Sequence, residues 1–241
     1  SKSDDEMMKE LVKEEDVVIT ISNKGFIKRI PVASYKSQGR GGRGITAANT
    51  GTNDDDFVEH MFIGSTHQYI MFFTDKGKCY WLKVYDIPEG TRTSRGKNIV
   101  NLIEKENDEK VSSFVMVKDF SEPLFVTMIT KMGTIKKTKL DAYSNIRRNG
   151  INAITVNKGD ALVDVRLTSG SQEILIGTHN GQAIRFNESL VRDMGRTATG
   201  VRAINLAKGD YVIGLVAVQR QSATILVVTD KGFGKRSDLG D

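Results

Sequence analysis

A single cysteine, Cys79, stands in 241 residues. That excludes an internal disulfide and fits a reducing compartment. Cys79 lies in the apolar run Cys79-Tyr80-Trp81-Leu82 and reads as a small core residue rather than a nucleophile. No apolar run approaches the length of a membrane span, and no signal peptide is visible. His60, His67 and His179 lack metal-ligand spacing, and one cysteine makes no zinc cluster. There is no G-x-x-x-x-G-K-[ST] loop for ATP. Tyr35, Tyr80, Tyr85 and Tyr143 read as packing residues in β-rich repeats and not as nucleophiles. No catalytic site and no resident cofactor or metal are therefore expected. A long amphipathic helix is missing as well. Met7, Met8, Leu11 and Val12 mark a short helix or a linker from an upstream domain within residues 1–15, and nothing later supports a helix longer than a turn or two.

What fills the rest of the chain is a repeated strand–turn–strand unit. Val17-Val18-Ile19-Thr20-Ile21, Asn23-Lys24-Gly25 and Phe26-Ile27-Lys28-Arg29-Ile30 form the first copy. The turn glycine recurs as Gly77, Gly133, Gly181 and Gly232, a period of about 50 residues that lies in the range of propeller blades. Glycine there supplies the positive φ that hairpin turns demand. A second glycine follows in each copy (Gly44, Gly96, Gly150, Gly200), and behind it the sequence predicts strands at 45–47, 99–103, 151–156 and 201–206. A polar turn then leads to strands at 57–63, 111–117, 161–167 and 211–218. The repeats run at about 16–63, 69–117, 124–167, 173–218 and 224–241, within one domain over 16–241. The fold class is all-β. Four-stranded blades stacked radially hide their faces and most edges; a β-sandwich is the alternative architecture. The chain opens on Ser1 and stops within the fifth repeat, so it is expected to be part of a longer protein.

The charge is +5 and the isoelectric point about 9.2, a moderate basic excess that suits an anionic partner. Asp4, Asp5, Glu6, Glu14, Glu15 and Asp16 crowd the N-terminus, which leaves the remainder more basic. Ahead of each second glycine stands at least one arginine: Arg40 and Arg43, Arg92 and Arg95 (with Lys97 just after), Arg147 and Arg148, Arg196 (with Arg202 following). The hairpins add Lys28, Arg29, Lys78, Lys83, Lys136, Lys137, Arg185, Lys235 and Arg236. Radial stacking would bring these onto one circumference as a cationic belt. Surface charge is ordinarily mixed in sign, and these loops are almost free of acids.

The densest member of the series is Gln38-Gly39-Arg40-Gly41-Gly42-Arg43-Gly44. Glycine lets a surface approach without a Cβ, and arginine presents a fixed fork of donors to phosphate. Gly39, Gly41 and Gly44 also satisfy G-x-G-x-x-G, but no helical stripe follows, as a dinucleotide site requires. A disordered Arg-Gly-Gly tail would repeat the unit. A solvated, merely flexible loop is the remaining alternative.

That box, together with Thr91-Arg92-Thr93-Ser94-Arg95-Gly96 and Met194-Gly195-Arg196-Thr197-Ala198-Thr199-Gly200-Val201-Arg202, resembles the C-terminal domain of the DNA gyrase A subunit, from about Glu15 to the end of the chain. The resemblance implies a β-pinwheel, a propeller-like disc of six blades that exchange strands. It implies a basic rim that wraps duplex DNA without reading its sequence, and a box (Gln38, Gly39, Arg40, Gly41, Gly42, Arg43, Gly44) that joins first blade to last and forces the wrap. Gly39 departs from the basic residue usual at the second box position. The partners implied are duplex DNA, the rest of the A subunit and the gyrase B subunit in a heterotetramer. The fragment itself is expected to be monomeric, off the membrane, in the bacterial cytoplasm near the nucleoid. ATP, magnesium and the DNA-cleaving tyrosine belong to other parts of the holoenzyme. The corresponding module of topoisomerase IV and a propeller that binds protein partners remain the alternatives.

Overall fold

The computed structural model describes residues 3–37, 55–219, 224–228 and 234–238. In chain order the elements are helix α1 (Asp4–Leu11), strands β1 (Asp16–Ser22) and β2 (Phe26–Pro31), helix α2 (Val32–Ser37), and then β3 (Val58–Ser65), β4 (Tyr69–Thr74), β5 (Lys78–Lys83), β6 (Lys97–Asn98), β7 (Val111–Val117), β8 (Phe125–Thr130), β9 (Thr134–Lys139), β10 (Ile151–Asn152), β11 (Leu162–Thr168), β12 (Glu173–Thr178), β13 (Ala183–Asn187), β14 (Val201–Arg202), β15 (Val212–Val218), β16 (Thr224–Val228) and β17 (Gly234–Asp238). The chain is all-β apart from short helices. It divides into two compact units, Ser1–Met71 with Trp81–Lys105 and Met116–Asp119, and Phe72–Tyr80 with Glu106–Val115 and Phe120–Asp241.

The strands of every expected hairpin lie side by side. The β-branched runs pair antiparallel in β1–β2, β8–β9, β12–β13 and β16–β17, and β4 lies beside β5. The leading strands β1, β4 and β8 are buried along most of their length, β4 at every residue, which suits strands covered on both faces. Turn chemistry repeats too. Gly25, Gly77, Gly133 and Gly181 all have φ near +90°. Three residues before each stands a hydroxyl, on Ser22, Thr74, Thr130 or Thr178, that accepts from the backbone N–H just after the glycine. An aspartate then ties the turn to the start of the last strand of its unit: Asp56 Oδ1 accepts from the N–H groups of Lys24 and Phe57, Asp160 from Met132 and Ala161, and Asp210 from Asn180 and Tyr211. The polar turns between strands are thus structural clamps.

Among the described residues the strands form sheets in the orders β3-β1-β2-β6, β10-β5-β4-β7, β11-β8-β9-β14, β13-β12-β15 and β16-β17. β6 lies in the second sequence repeat yet pairs with β2 of the first, β10 of the third with β5 of the second, and β14 of the fourth with β9 of the third. This is the strand exchange of a β-pinwheel.

The lent strands correct one expectation. They are two residues long rather than five or six, and Ile99–Asn101 turns into a 3₁₀ helix. Their apolar residues do not continue a ladder; Ile99, Ile103, Ala153, Ile154 and Ile204 are buried plugs. Ile204, for example, packs with Ile129, Ile135, Ile174, Ile176 and Leu215. The expected strand at 45–47 and the turn at Gly232 lie outside the described residues.

The second glycine is where a lent strand meets its host. A Cβ on Gly96 would fall 2.4 Å from the Ile27 carbonyl oxygen, and one on Gly200 2.4 Å from that of Ile135, with φ at +86° and +100°. Both positions need the left-handed region and a bare Cα at once. Gly209 has a similar φ of +80° but nothing within 4 Å of its would-be Cβ. Gly209→Ala should therefore lose about 1 kcal/mol from backbone strain alone, and Gly200→Ala clearly more, about 2–4 kcal/mol. Urea unfolding of the two variants checks this; equal losses would contradict the close-approach explanation.

Candidate nucleic-acid interface

The loops that carry the arginines are held at the places where strands are exchanged. In the first unit, β2 grips the segment from Ile87 to Asn98. Arg29 donates through Nε to the Ile87 carbonyl (2.7 Å), and its backbone bonds Pro88 and Gly90. One residue earlier, Lys28 donates through Nζ to the carbonyls of Arg92 (3.1 Å) and Ser94 (2.6 Å). Thr91 and Ser94 close the loop on itself through reciprocal hydroxyl–backbone bonds. The guanidinium of Arg92 then lies over the Tyr35 ring, 4.1 Å from its centroid, and that of Arg95 over Phe26 at 3.9 Å. Such stacking orients a guanidinium without cancelling its charge. Arg95 and the following Lys97 are exposed. Tyr35 precedes Gln38 by three residues in sequence. Gln38, Gly39, Arg40, Gly41, Gly42, Arg43 and Gly44 themselves lie outside the described residues.

The second unit repeats the grip. Lys136, like Lys28 three residues beyond a hairpin glycine, donates through Nζ to the carbonyls of Arg196 and Ala153. Arg196 occupies the loop position of Arg92, and its guanidinium donates to the Asn152 carbonyl at 2.8 Å. Lys137 donates to the Glu188 carbonyl (3.0 Å) and faces its carboxylate at 3.7 Å. Where the second repeat would carry the lysine it has Tyr80, whose hydroxyl donates to the buried Glu109 carboxylate (2.9 Å) and whose ring lies against Gly150. Arg147 and Arg148, just ahead of Gly150, are exposed, as is Arg202.

The belt expected from sequence thus divides. Lys28, Lys136 and Lys137 are 3%, 0% and 5% exposed and are corrected from surface cations to buried anchors. They cannot reach a phosphate because their ammonium groups already serve carbonyls inside the fold. Burial, and behind it the Arg196 guanidinium, pushes the Lys136 ammonium down to about 7; burial also lowers that of Lys28. Lys83 is paired with Asp5 (2.8 Å) and Arg185 with Glu173 (3.4 Å). Lys78 is half-buried on β5. Lys235 and Arg236 fall on β17, which is described by its backbone. Arg95, Lys97, Arg147, Arg148 and Arg202 present charge at the surface, and Arg92 and Arg196 sit half-buried with their backbones pinned. The missed signal was legible: two adjacent cations in mid-strand, Lys28-Arg29 and Lys136-Lys137, at the same distance from a turn glycine.

Comparison with known proteins gives this arrangement relatives. The family described as DNA gyrase C-terminal domain, beta-propeller, matches residues 16–65, 68–118, 125–169, 172–219 and 223–241. The DNA gyrase A subunit of Staphylococcus aureus (strain NCTC 8325 / PS 47) is 47% identical over 234 residues, covering 96% of this chain and 26% of its own length. The chain therefore spans about a quarter of the length of the curated relatives it matches. Among solved structures, the C-terminal domain of DNA topoisomerase IV superposes with a TM-score of 0.75 at 30% identity, over 95% of this chain and 69% of that one. A DNA gyrase A C-terminal domain gives 0.72 at 26% identity, over 93% and 72%.

The buried lysines make a pH prediction. The Lys136 ammonium loses its proton near 7 in the fold and near its ordinary 10.5 when unfolded, so between those values the unfolded chain binds the extra proton. Stability must then rise with pH across that window, by up to about 1.4 kcal/mol per unit. The stability of the wild type relative to Lys136→Met, from urea midpoints at pH 7 and pH 9.5, should increase with pH. A constant difference would mean that the two carbonyls hold the proton on.

Proposed function

The chain belongs to the DNA gyrase C-terminal domain family, and from that premise we propose that it binds, bends and wraps duplex DNA along its loop cations, independent of base sequence. The observation that carries this reading is the repeated anchor. Lys28 fixes the Arg92 carbonyl and Lys136 the Arg196 carbonyl, so each of these equivalent arginine loops is held against its own sheet in the same way before any ligand arrives. Loops pinned in this way lose little further freedom on binding, which favours affinity.

Energetics allow the wrap. Each phosphate contact releases about 0.9 counterion, worth about 1 kcal/mol near 0.1 M salt. Bending roughly 40 bp through about 180° costs on the order of 10 kcal/mol for a smooth rod. Around ten contacts along a curved path therefore offset the bend. Arg92, Arg95, Lys97, Arg147, Arg148, Arg196 and Arg202 supply the described share, and Arg40 and Arg43 of the box add the densest local charge. Among the described residues no helix exceeds eight residues, and backbone contacts carry no direct sequence information, so base readout is minor.

In this reading the chain is the wrapping part of a type II topoisomerase, DNA gyrase, working with the remainder of the A subunit and with the B subunit in the bacterial cytoplasm. Strand cleavage, ATP and magnesium belong to those other parts, and wrapping gives strand passage its direction toward negative supercoils. The topoisomerase IV structure that superposes at TM-score 0.75 favours a second reading, the equivalent module of that enzyme. The box and the 47% identity to a gyrase A subunit favour the first, and supercoiling rather than relaxation alone by the intact enzyme separates them.

The affinity for random-sequence duplex should fall steeply with salt, log K against log[salt] having a slope near −9 for about ten contacts. Arg95→Ala or Arg147→Ala should each reduce that slope by about one unit. Arg40→Ala with Arg43→Ala should reduce bending, read by ring closure of short DNA, with the fold intact. A flat salt response would contradict the reading.

A further inference from the structure

Helix α1 is attached to the first unit in an unusual way. None of its residues is buried, and Met7, Met8 and Leu11 face solvent, so apolar packing does not hold it. Its start is well made. Ser3 Oγ accepts from the Glu6 N–H and the Glu6 carboxylate accepts from the Ser3 N–H, a capping box. The chain just beyond its C-terminal end is tied by side chains to backbone carbonyls, the Lys13 carbonyl accepting from the Thr66 hydroxyl (2.8 Å) and the Val12 carbonyl lying 2.8 Å from His67 Nε2. Between these ends Asp5, about a third exposed, reaches the second sheet. Asp5 places its carboxylate between Lys83 Nζ (2.8 Å) and the Tyr69 hydroxyl, which donates to it at 2.6 Å. Lys9 approaches the same carboxylate at 3.9 Å, with its ammonium over the Tyr69 ring.

An ammonium and a hydroxyl donor converging on one anionic oxygen pair would serve a phosphate oxygen equally well. Lys83 and Tyr69 come from paired strands of the second sheet, β5 and β4, and are fixed by it; Tyr69 is braced edge-on by Trp81, ring centroids 5.2 Å apart. The acid comes from a helix with nothing buried. We propose that Lys83 and Tyr69 form a DNA-phosphate site which Asp5 fills in the free chain, so that α1 acts as an intramolecular competitor that the DNA backbone displaces. This rests on the DNA-wrapping reading and deepens it. Burial works against both charges, but their mutual attraction outweighs it, holding the Asp5 carboxyl below its ordinary value and the Lys83 ammonium above its own. The latch is therefore set at any pH near neutrality, and salt or a polyanion, not protons, opens it. The other acids of the first turn, Asp4 and Glu6, add to the field but do not enter the site.

The test is a double-mutant cycle on the full chain with a 40-bp random-sequence duplex as probe, read by fluorescence anisotropy near 0.1 M salt. Asp5→Asn should tighten binding roughly five- to tenfold, the equivalent of one phosphate contact regained. Asp4→Asn removes the same charge from an exposed neighbour and should change binding about twofold or less. In a Lys83→Met background the gain from Asp5→Asn should shrink to the Asp4→Asn level. In the wild type, adding the duplex should speed amide hydrogen exchange across residues 5–11. Equal effects of Asp5→Asn and Asp4→Asn, or a gain that survives Lys83→Met, would overturn the latch while leaving DNA binding in place. Absence of salt-sensitive binding in every variant would overturn the wrapping reading and the latch with it.

Discussion

A two-residue strand lent by the second, third and fourth repeats to the sheet before each is the constraint from which the other features follow. Such a short ladder cannot hold by its own hydrogen bonds. It is held because a bare glycine (Gly96 or Gly200) lets the backbone come against Ile27 or Ile135, and because a buried ammonium draws the loop's carbonyls inward. The same crossing links repeats into a chain of mutual dependence, since a repeat without its neighbour has an open edge and an uncovered face. The loop that makes the crossing is also the loop that carries the arginines. Architecture and charge placement are thus one device.

The cations divide the labour by burial. An ammonium inside the fold, bonded to one or two carbonyls, satisfies backbone acceptors that would otherwise be costly to bury. A guanidinium on the loop keeps its charge while it stacks on an aromatic ring. Swapping the two would fail physically: a fully buried guanidinium needs more acceptors than the crossing offers, and an exposed lysine lacks the planar face that Tyr35 and Phe26 support. In the second repeat Tyr80 and Glu109 replace the lysine, and the neighbouring loop exposes Arg147 and Arg148 side by side. The anchor can change chemistry so long as the crossing is held.

Much of the architecture was legible in the sequence because hairpins are local. A β-branched run, a turn with glycine in the left-handed region and a second run specify themselves, and the period of these units points to the fold class. The lent strands were legible only as apolar residues, since burial in a plug and burial in a ladder leave the same trace; Ile204 shows this. The box rests on sequence alone. The recurrence of the loop arginines is plain in the sequence, whereas Lys28, Lys136 and Lys137 read there as surface charge. Lysine in a strand is ordinarily a solvated residue, and the carbonyls that receive these ammonium groups are 17 to 66 residues away in sequence, so the local pattern of two adjacent cations flags them without showing their partners. The recurring aspartates Asp56, Asp160 and Asp210 went unassigned for the same reason.

The central claim is that cations spaced by the repeat meet one continuous stretch of duplex. Hydroxyl-radical footprinting of one defined, end-labelled duplex of about 40 bp, just long enough for a single wrap so that its ends fix the register, tests it most directly. Wrapping requires protection that recurs about every 10 bp over several helical turns, on the face of the duplex turned toward the protein. Protection confined to a single turn, or none above background at a salt concentration where the complex forms, would contradict it.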